Sequence, residues 1–186
     1  MFNECTGGER PNYQLCKYTE CDLQFRGPKQ PVTGDYVACL GGADTFGKQI
    51  KTPYSALLGT ALGIPSLNLA WPNAGIDFML KERGVLNIAS NAKMTILQVP
   101  CAANMSNRYF RVDPRKSNEI AKVTPLLRKT YPGVDFSQFR YCQHLLEHLQ
   151  SICSVRFQSI IEEIQMLWSD RMRQILNRIE GPVVLL

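Results

Sequence analysis

The sequence lacks any long uninterrupted run of apolar residues, and a membrane-spanning helix needs about 20 of them. Its first ten residues also lack the apolar centre of a signal peptide. Acidic residues are spread along the chain, so the net charge of +5 is too weakly segregated to indicate a nucleic-acid partner. We therefore expect a cytoplasmic protein with no membrane and no nucleic-acid partner.

The seven cysteines form an odd number and do not have the spacing of a disulfide framework. Cys39 and Cys101 lie in or beside apolar segments, which predicts reduced thiols packed as small apolar side chains. Cys16 and Cys21 are close in sequence, but no second pair completes a zinc site. We expect no metal and no cofactor.

The length of 186 residues and the 45% hydrophobic content suit one domain with a genuine core. Residues 1–34 are rich in Gly, Pro, Asn and Gln and predict an irregular N-terminal segment. From residue 35 to residue 186, apolar strands alternate with helical segments, which predicts an α/β domain, a three-layer α/β/α sandwich around a mainly parallel sheet. The predicted strands lie near residues 36–40, 66–70, 94–99 and 182–186.

The clearest predicted helix covers about residues 154–180, where apolar residues recur at three- and four-residue steps. Trp168 falls in this apolar stripe and is assigned to the core. The apolar segment after Pro182 is typical of the start of a buried strand, and the sequence ends inside it. This pattern indicates a domain that is cut short, as a fragment or by natural truncation.

Residues 36–47 predict a buried strand that runs into a glycine-rich turn, where an enzyme would carry its nucleophile. The residue at the turn is Ala43, which has no nucleophilic group. Residues 73–75 follow the second predicted strand, and residues 104–108 follow the third. Because parallel strands end at the same sheet edge, we expect these segments to form one crevice.

This order of strand, glycine turn, helix and strand resembles the opening of the SGNH, or GDSL-type, hydrolases, whose first block is Gly-Asp-Ser-x-Thr-x-Gly. Gly41, Thr45 and Gly47 match that block, whereas Gly42 replaces its Asp and Ala43 replaces its nucleophilic Ser. The resemblance implies the family's α/β/α fold and an ester- or glycan-type ligand.

The later blocks of the family match less well. Gly75, or less well Ala70, takes the place of the glycine that helps to form the oxyanion hole, and residues 102–105 resemble the third block but keep only Asn104. The block with the family's base would follow residue 186. Residues 108–115 and 131–136 also resemble an uncharacterised bacterial domain family of unknown function, over residues 24–186.

These observations favour a protein that binds a small polar or anionic ligand and lacks Ser-type esterase activity. The basic cluster of Arg108, Arg111, Arg115 and Lys116 suits an anionic group on the ligand, or else forms a solvated loop with Asp113 or Glu119 as its partner. The predicted ligand-binding residues are Gly41, Gly42, Ala43, Asn73, Gly75, Asn104, Asn107, Arg108 and Arg111.

Two other functions are compatible with the resemblance. One is an active hydrolase or acyltransferase in which Asp44 acts as acid or base, or the Thr45 hydroxyl acts as nucleophile. The simpler interpretation, which we favour, is structural: the Thr45 hydroxyl stabilises the turn, and Asp44 caps the turn that follows. The other function is a non-catalytic scaffold, in which the long helix contacts a partner protein.

Two short motifs carry weaker hypotheses. Residues 42–49 approach a phosphate-binding loop, with Lys48 as its cation, but Gln49 stands where the motif needs Ser or Thr. His144, Glu147 and His148 match the His-x-x-Glu-His pattern of inverted zinc peptidases. For the second pattern we favour a solvated or packed helix face, because so short a pattern arises easily by chance in an amphipathic helix.

Overall fold

The computed structural model describes residues 12–186 as eight strands and seven α-helices. The strands are β1 (Leu15–Lys17), β2 (Gln24–Arg26), β3 (Val37–Leu40), β4 (Ser66–Asn68), β5 (Met94–Leu97), β6 (Phe110–Asp113), β7 (Lys116–Val123) and β8 (Val183–Leu185). The helices are α1 (Ala43–Phe46), α2 (Tyr54–Leu62), α3 (Ile76–Lys81), α4 (Arg83–Ser90), α5 (Pro125–Thr130), α6 (Cys142–Ile152) and α7 (Ser154–Leu176). A short 3-10 turn covers Phe136–Gln138.

The central sheet has four parallel strands in the spatial order β4-β3-β5-β8. Val37 of β3 lies opposite Ser66 and Met94, and Leu97 of β5 lies opposite Leu185. All four strands predicted from the sequence are present. The prediction of a mixed α/β fold around a parallel sheet is therefore confirmed.

The two faces of the sheet are covered differently. On one face, Val37, Cys39 and Ile96 pack against α2. On the other face, Ala38 and Leu40 join the large core, and α4 is tied to this face by the Thr95 hydroxyl, which donates a hydrogen bond to the Ala89 carbonyl. Because β-strand side chains alternate between faces, four-residue strands are enough to support both layers.

Two antiparallel hairpins flank the sheet, and sequence reasoning missed both. The β1–β2 hairpin lies inside the segment predicted to be irregular, and its Phe25 is fully buried. The buried Arg26 guanidinium donates hydrogen bonds to four backbone carbonyls between residues 46 and 51, which attach the hairpin to the glycine-rich turn. The β6–β7 hairpin lies between α4 and α6 in the chain and covers part of the crevice described below.

The long predicted helix is present as α7 but ends at Leu176, earlier than the expected residue 180. Beyond Asn177, the backbone hydrogen bonds shorten to three-residue steps, from Arg178 to Ile175 and from Ile179 to Leu176, so the last turn tightens and stops. Trp168 is only half-buried, and its indole N–H donates to the Pro100 carbonyl at 2.9 Å. It therefore braces the segment after β5 as well as packing on the core.

Candidate functional site: an amide-lined crevice

A crevice of about 180 Å³ opens where β3, β4 and β5 end. This is the edge at which open parallel sheets bind ligands. None of the described residues that line it has a charged side chain. The residues that line it are Gly42, Ala43, Pro72, Asn73, Ala74, Met79, Gln98, Val99, Pro100, Cys101, Asn104 and Asn118.

The glycine turn after β3 is held by Gln98, which sequence reasoning missed. The Gln98 Oε1 atom accepts hydrogen bonds from the Gly42 N–H at 2.9 Å and from the Thr45 hydroxyl at 2.8 Å. A Cβ atom on Gly41 would lie 2.2 Å from the Thr45 Oγ1, so only glycine fits there. One indication of this role was present in the sequence: Gln98 directly follows β5, which pairs with the strand before the turn.

The two residues predicted to be catalytic differ in exposure. Thr45 is fully buried, and its hydroxyl also accepts a hydrogen bond from Tyr54 at 3.3 Å. Burial raises the pKa of Tyr54 to about 12, so this phenol stays protonated near neutral pH. Asp44 is exposed and accepts a hydrogen bond from the Gln98 Nε2 at 3.0 Å.

Gly75 forms a close contact between two segments of the crevice. It precedes α3 as its N-cap, and a Cβ atom there would lie 2.6 Å from the Asn104 carbonyl oxygen and 2.7 Å from the Ser117 side chain. The Ser117 N–H donates to the Asn73 carbonyl at 3.2 Å. These contacts bring the β6–β7 hairpin onto the crevice and put Asn118 into its wall.

Three asparagine side chains in the crevice have no hydrogen-bond partner among residues 12–186. They are Asn73, Asn104 and Asn118, one from each segment around the opening. The Oδ1 atom of Asn118 is fully buried and unpaired. A buried polar atom without a partner costs about 1–3 kcal/mol, which an external hydrogen-bond donor would recover.

The loop that carries Asn104 is fixed by two carboxylates from helices. Asp77 of α3 accepts a hydrogen bond from the Ser106 N–H at 2.8 Å, and Arg171 of α7 pairs with the same carboxylate at 2.6 Å. Glu163 of α7 accepts from the Arg108 N–H at 2.7 Å. The position of Asn104 therefore depends on helices outside the crevice.

The other predicted site residues on this loop bind partners within the protein. Asn107 is 2% exposed, and its Oδ1 accepts from the backbone N–H groups of Tyr109 and Phe110. Arg108 forms an ion pair with Glu163, and Arg111 donates to the Asn107 carbonyl. None of these three predicted ligand-binding residues lines the crevice.

Of the two expected partners of the basic cluster, Asp113 contacts a backbone group of the cluster, and Glu119 pairs with a residue outside it. Asp113 accepts a hydrogen bond from the Arg115 backbone N–H at 2.8 Å, and Glu119 forms an ion pair with Arg140 at 3.0 Å. The described lining of the crevice itself is uncharged, and the Asp44 carboxylate is bonded to its wall through Gln98.

The cysteines divide between core and crevice. Cys39 is fully buried as expected, and burial raises the pKa of its thiol. Cys101 was expected to pack in the same way, but this prediction is wrong: the residue is exposed and lines the crevice, because β5 ends at Leu97 and Cys101 lies in the segment beyond it. The six described cysteines are free, and Cys5 lies outside the described residues.

The two weaker motifs have simple structural explanations. The phosphate-loop hypothesis needs a helix after the turn, but α1 lasts one turn and ends at Gly47 with φ +66°, which leaves Lys48 outside it. The His144 ring packs against Tyr141, and the His148 ring packs against Phe139. Within residues 12–186, no group of three or more His, Cys, Asp or Glu side chains is arranged to hold a metal ion.

The fold and site define an α/β protein with a polar, uncharged crevice at the carboxyl edge of a parallel sheet. Among the described residues, no helix has the length and apolar character required to span a bilayer. A family model described as a domain of unknown function, DUF6473, matches residues 1–186, and the chain belongs to this family. No curated protein and no solved structure matches the chain.

Proposed function

We propose that this protein is a binding protein resembling SGNH hydrolases, and that the crevice holds a small, neutral polar group of a glycan-type ligand without hydrolysing it. One observation carries the proposal: the buried, unpaired Oδ1 of Asn118 in a crevice that the side-chain amides of Asn73 and Asn104 also line. Such an acceptor is matched by a hydroxyl or amide N–H of the ligand.

A neutral ligand is favoured over an anionic one. Arg108 is bonded to Glu163 and Arg111 to the Asn107 carbonyl, and no basic residue of the cluster is among the described residues that line the crevice. Among residues 12–186, the carboxylate bonded to the crevice wall is that of Asp44, which would repel an anion. The side-chain amides of the crevice, in contrast, form hydrogen bonds with hydroxyl groups of a neutral ligand.

The lack of a Ser-type nucleophile at the glycine turn supports binding over Ser-type ester hydrolysis. Ala43 has no hydroxyl, and the nearest hydroxyl along the turn, that of Thr45, is buried and already hydrogen-bonded to Gln98. Acyl transfer needs an exposed nucleophile activated by a base. A hydrolase that used Asp44 instead would need an ordered water molecule in the same crevice.

Calorimetric titration and an ester assay test the proposal together. We expect methyl β-D-glucoside or N-acetylglucosamine to bind, inorganic phosphate and acetate not to bind, and p-nitrophenyl acetate to be hydrolysed no faster than in buffer. Asn118→Leu should abolish sugar binding, whereas Lys122→Leu, at an exposed position of the same strand, should not. Ester turnover that disappears in Asp44→Ala would instead establish a hydrolase.

The same variant has a second expected effect. Leu at position 118 removes the unpaired buried oxygen, so the unliganded protein should gain about 1 kcal/mol of unfolding free energy in urea. Lys122→Leu reports the part of any gain that comes from strand propensity alone. A variant that loses both binding and stability would show that Asn118 is a structural residue.

A further inference from the structure

A second cavity opens off the amide crevice. Its volume is about 410 Å³, and α6, the first half of α7 and the segment after β5 surround it. The two cavities share Cys101, Asn104 and Asn118 as a common wall. A ligand held in the crevice therefore has a direct continuation into this second cavity.

The walls of the second cavity are mainly apolar. Leu146 and Phe157 are buried, and Ala103 and Ile161 are half-buried beside them. Apart from Asn104 and Asn118 of the shared wall, the polar side chains are those of Gln143, His144, Glu147 and Gln150, which are exposed on α6. The Gln143 amide is bonded to Glu147 at 2.8 Å. The crevice and the second cavity thus differ sharply in polarity although they adjoin.

We propose that the second cavity, here called the apolar groove, holds the alkyl tail of an amphiphilic ligand whose neutral polar head occupies the amide crevice. This inference rests on the proposed function, because the head fixes the ligand at the shared wall. Because the two cavities are concave and continuous, we expect one small amphiphile to occupy them, and not the flat surface of a partner protein. Each methylene buried in such a groove strengthens binding about fourfold.

The test compares methyl β-D-glucoside with hexyl β-D-glucoside by calorimetric titration, below the concentration at which the hexyl compound forms micelles. We expect the hexyl compound to bind at least tenfold more tightly. Ile161→Asn should remove this advantage, and Val155→Asn, an exposed position of the same helix, should keep it. Ala103→Leu, which fills the groove without adding a polar group, should also remove the advantage.

The outcomes separate the two proposals. Equal binding of both glucosides would overturn the apolar groove and leave the amide crevice supported. Binding of the hexyl compound alone, lost in Ala103→Leu, would support the groove and overturn the crevice as the head site. No binding of either compound would overturn both. A dimer in sedimentation experiments that must dissociate before the hexyl compound binds would show that a second copy covers the groove.

Discussion

Replacing Glu163 by Gln tests whether α7 holds the loop that carries Asn104. Glu163 is 4% exposed, and its carboxylate accepts hydrogen bonds from the backbone N–H and the Nε–H of Arg108. Glutamine keeps one acceptor oxygen but loses the charge that strengthens both bonds. Hydrogen bonds to charged groups contribute about 1.5–3 kcal/mol each.

The expected loss in Glu163→Gln is about 1–2 kcal/mol of unfolding free energy. The larger penalty for breaking a buried ion pair does not apply, because the Arg108 side chain is 71% exposed and remains hydrated. Urea unfolding measures the loss, and the melting temperature should fall by about 2–4 °C per kcal/mol. Glu162→Gln, at the exposed neighbouring position, should change stability by less than about 0.5 kcal/mol. Equal effects at both positions would refute the reasoning.

Three further predictions concern packing, the buried guanidinium and pH. Gly84→Ala should lower the free energy of unfolding in urea by more than about 2 kcal/mol, although alanine has the higher helix propensity. The reason is that the added Cβ would lie 1.9 Å from the Glu20 carbonyl oxygen. A stabilised variant would contradict this packing. Arg26→Lys should lower the free energy of unfolding by about 2–4 kcal/mol, since an ammonium cannot reach four carbonyls, and an unchanged melting temperature would contradict that role. Hydrogen bonds from Ser137 hold the pKa of Asp135 below its usual value, so its stabilising effect is present above the unfolded-state pKa of about 4 and is lost as pH falls through the lower folded-state pKa. In Asp135→Asn, the melting temperature should therefore fall less steeply as the pH is lowered below about 4. A melting temperature with the same dependence on pH as in the unchanged protein would contradict this role of Asp135.

The central sheet could be predicted because β3 and β5 are buried along almost their whole length and appear in the sequence as short apolar runs. The segment from Val37 to Thr45 shows this most clearly, since strand, turn and close glycine contact all follow from residue type. The β6–β7 hairpin was harder to predict. Its first strand alternates buried Phe110 and Val112 with exposed residues for only four positions, and irregular register interrupts the pairing.

The candidate site could be predicted only in part. Gly42, Ala43, Asn73 and Asn104 follow strands that end at one sheet edge, and they do line one crevice. Asn118 was missed, because its contribution depends on a hairpin that folds back over that edge. The arginines of the basic cluster were misleading for a related reason: sequence gives their charge, but only tertiary structure gives their partners on α7 and in the loop.

The most direct test of the central claim is an NMR titration of the side-chain amide resonances with methyl β-D-glucoside. Binding in the crevice should shift the NH₂ signals of Asn73, Asn104 and Asn118 together, while that of the exposed Asn87 stays in place. The affinity from these shifts should agree with calorimetry. Sugar binding that leaves all three crevice amides unshifted, or no binding at all, would contradict the account.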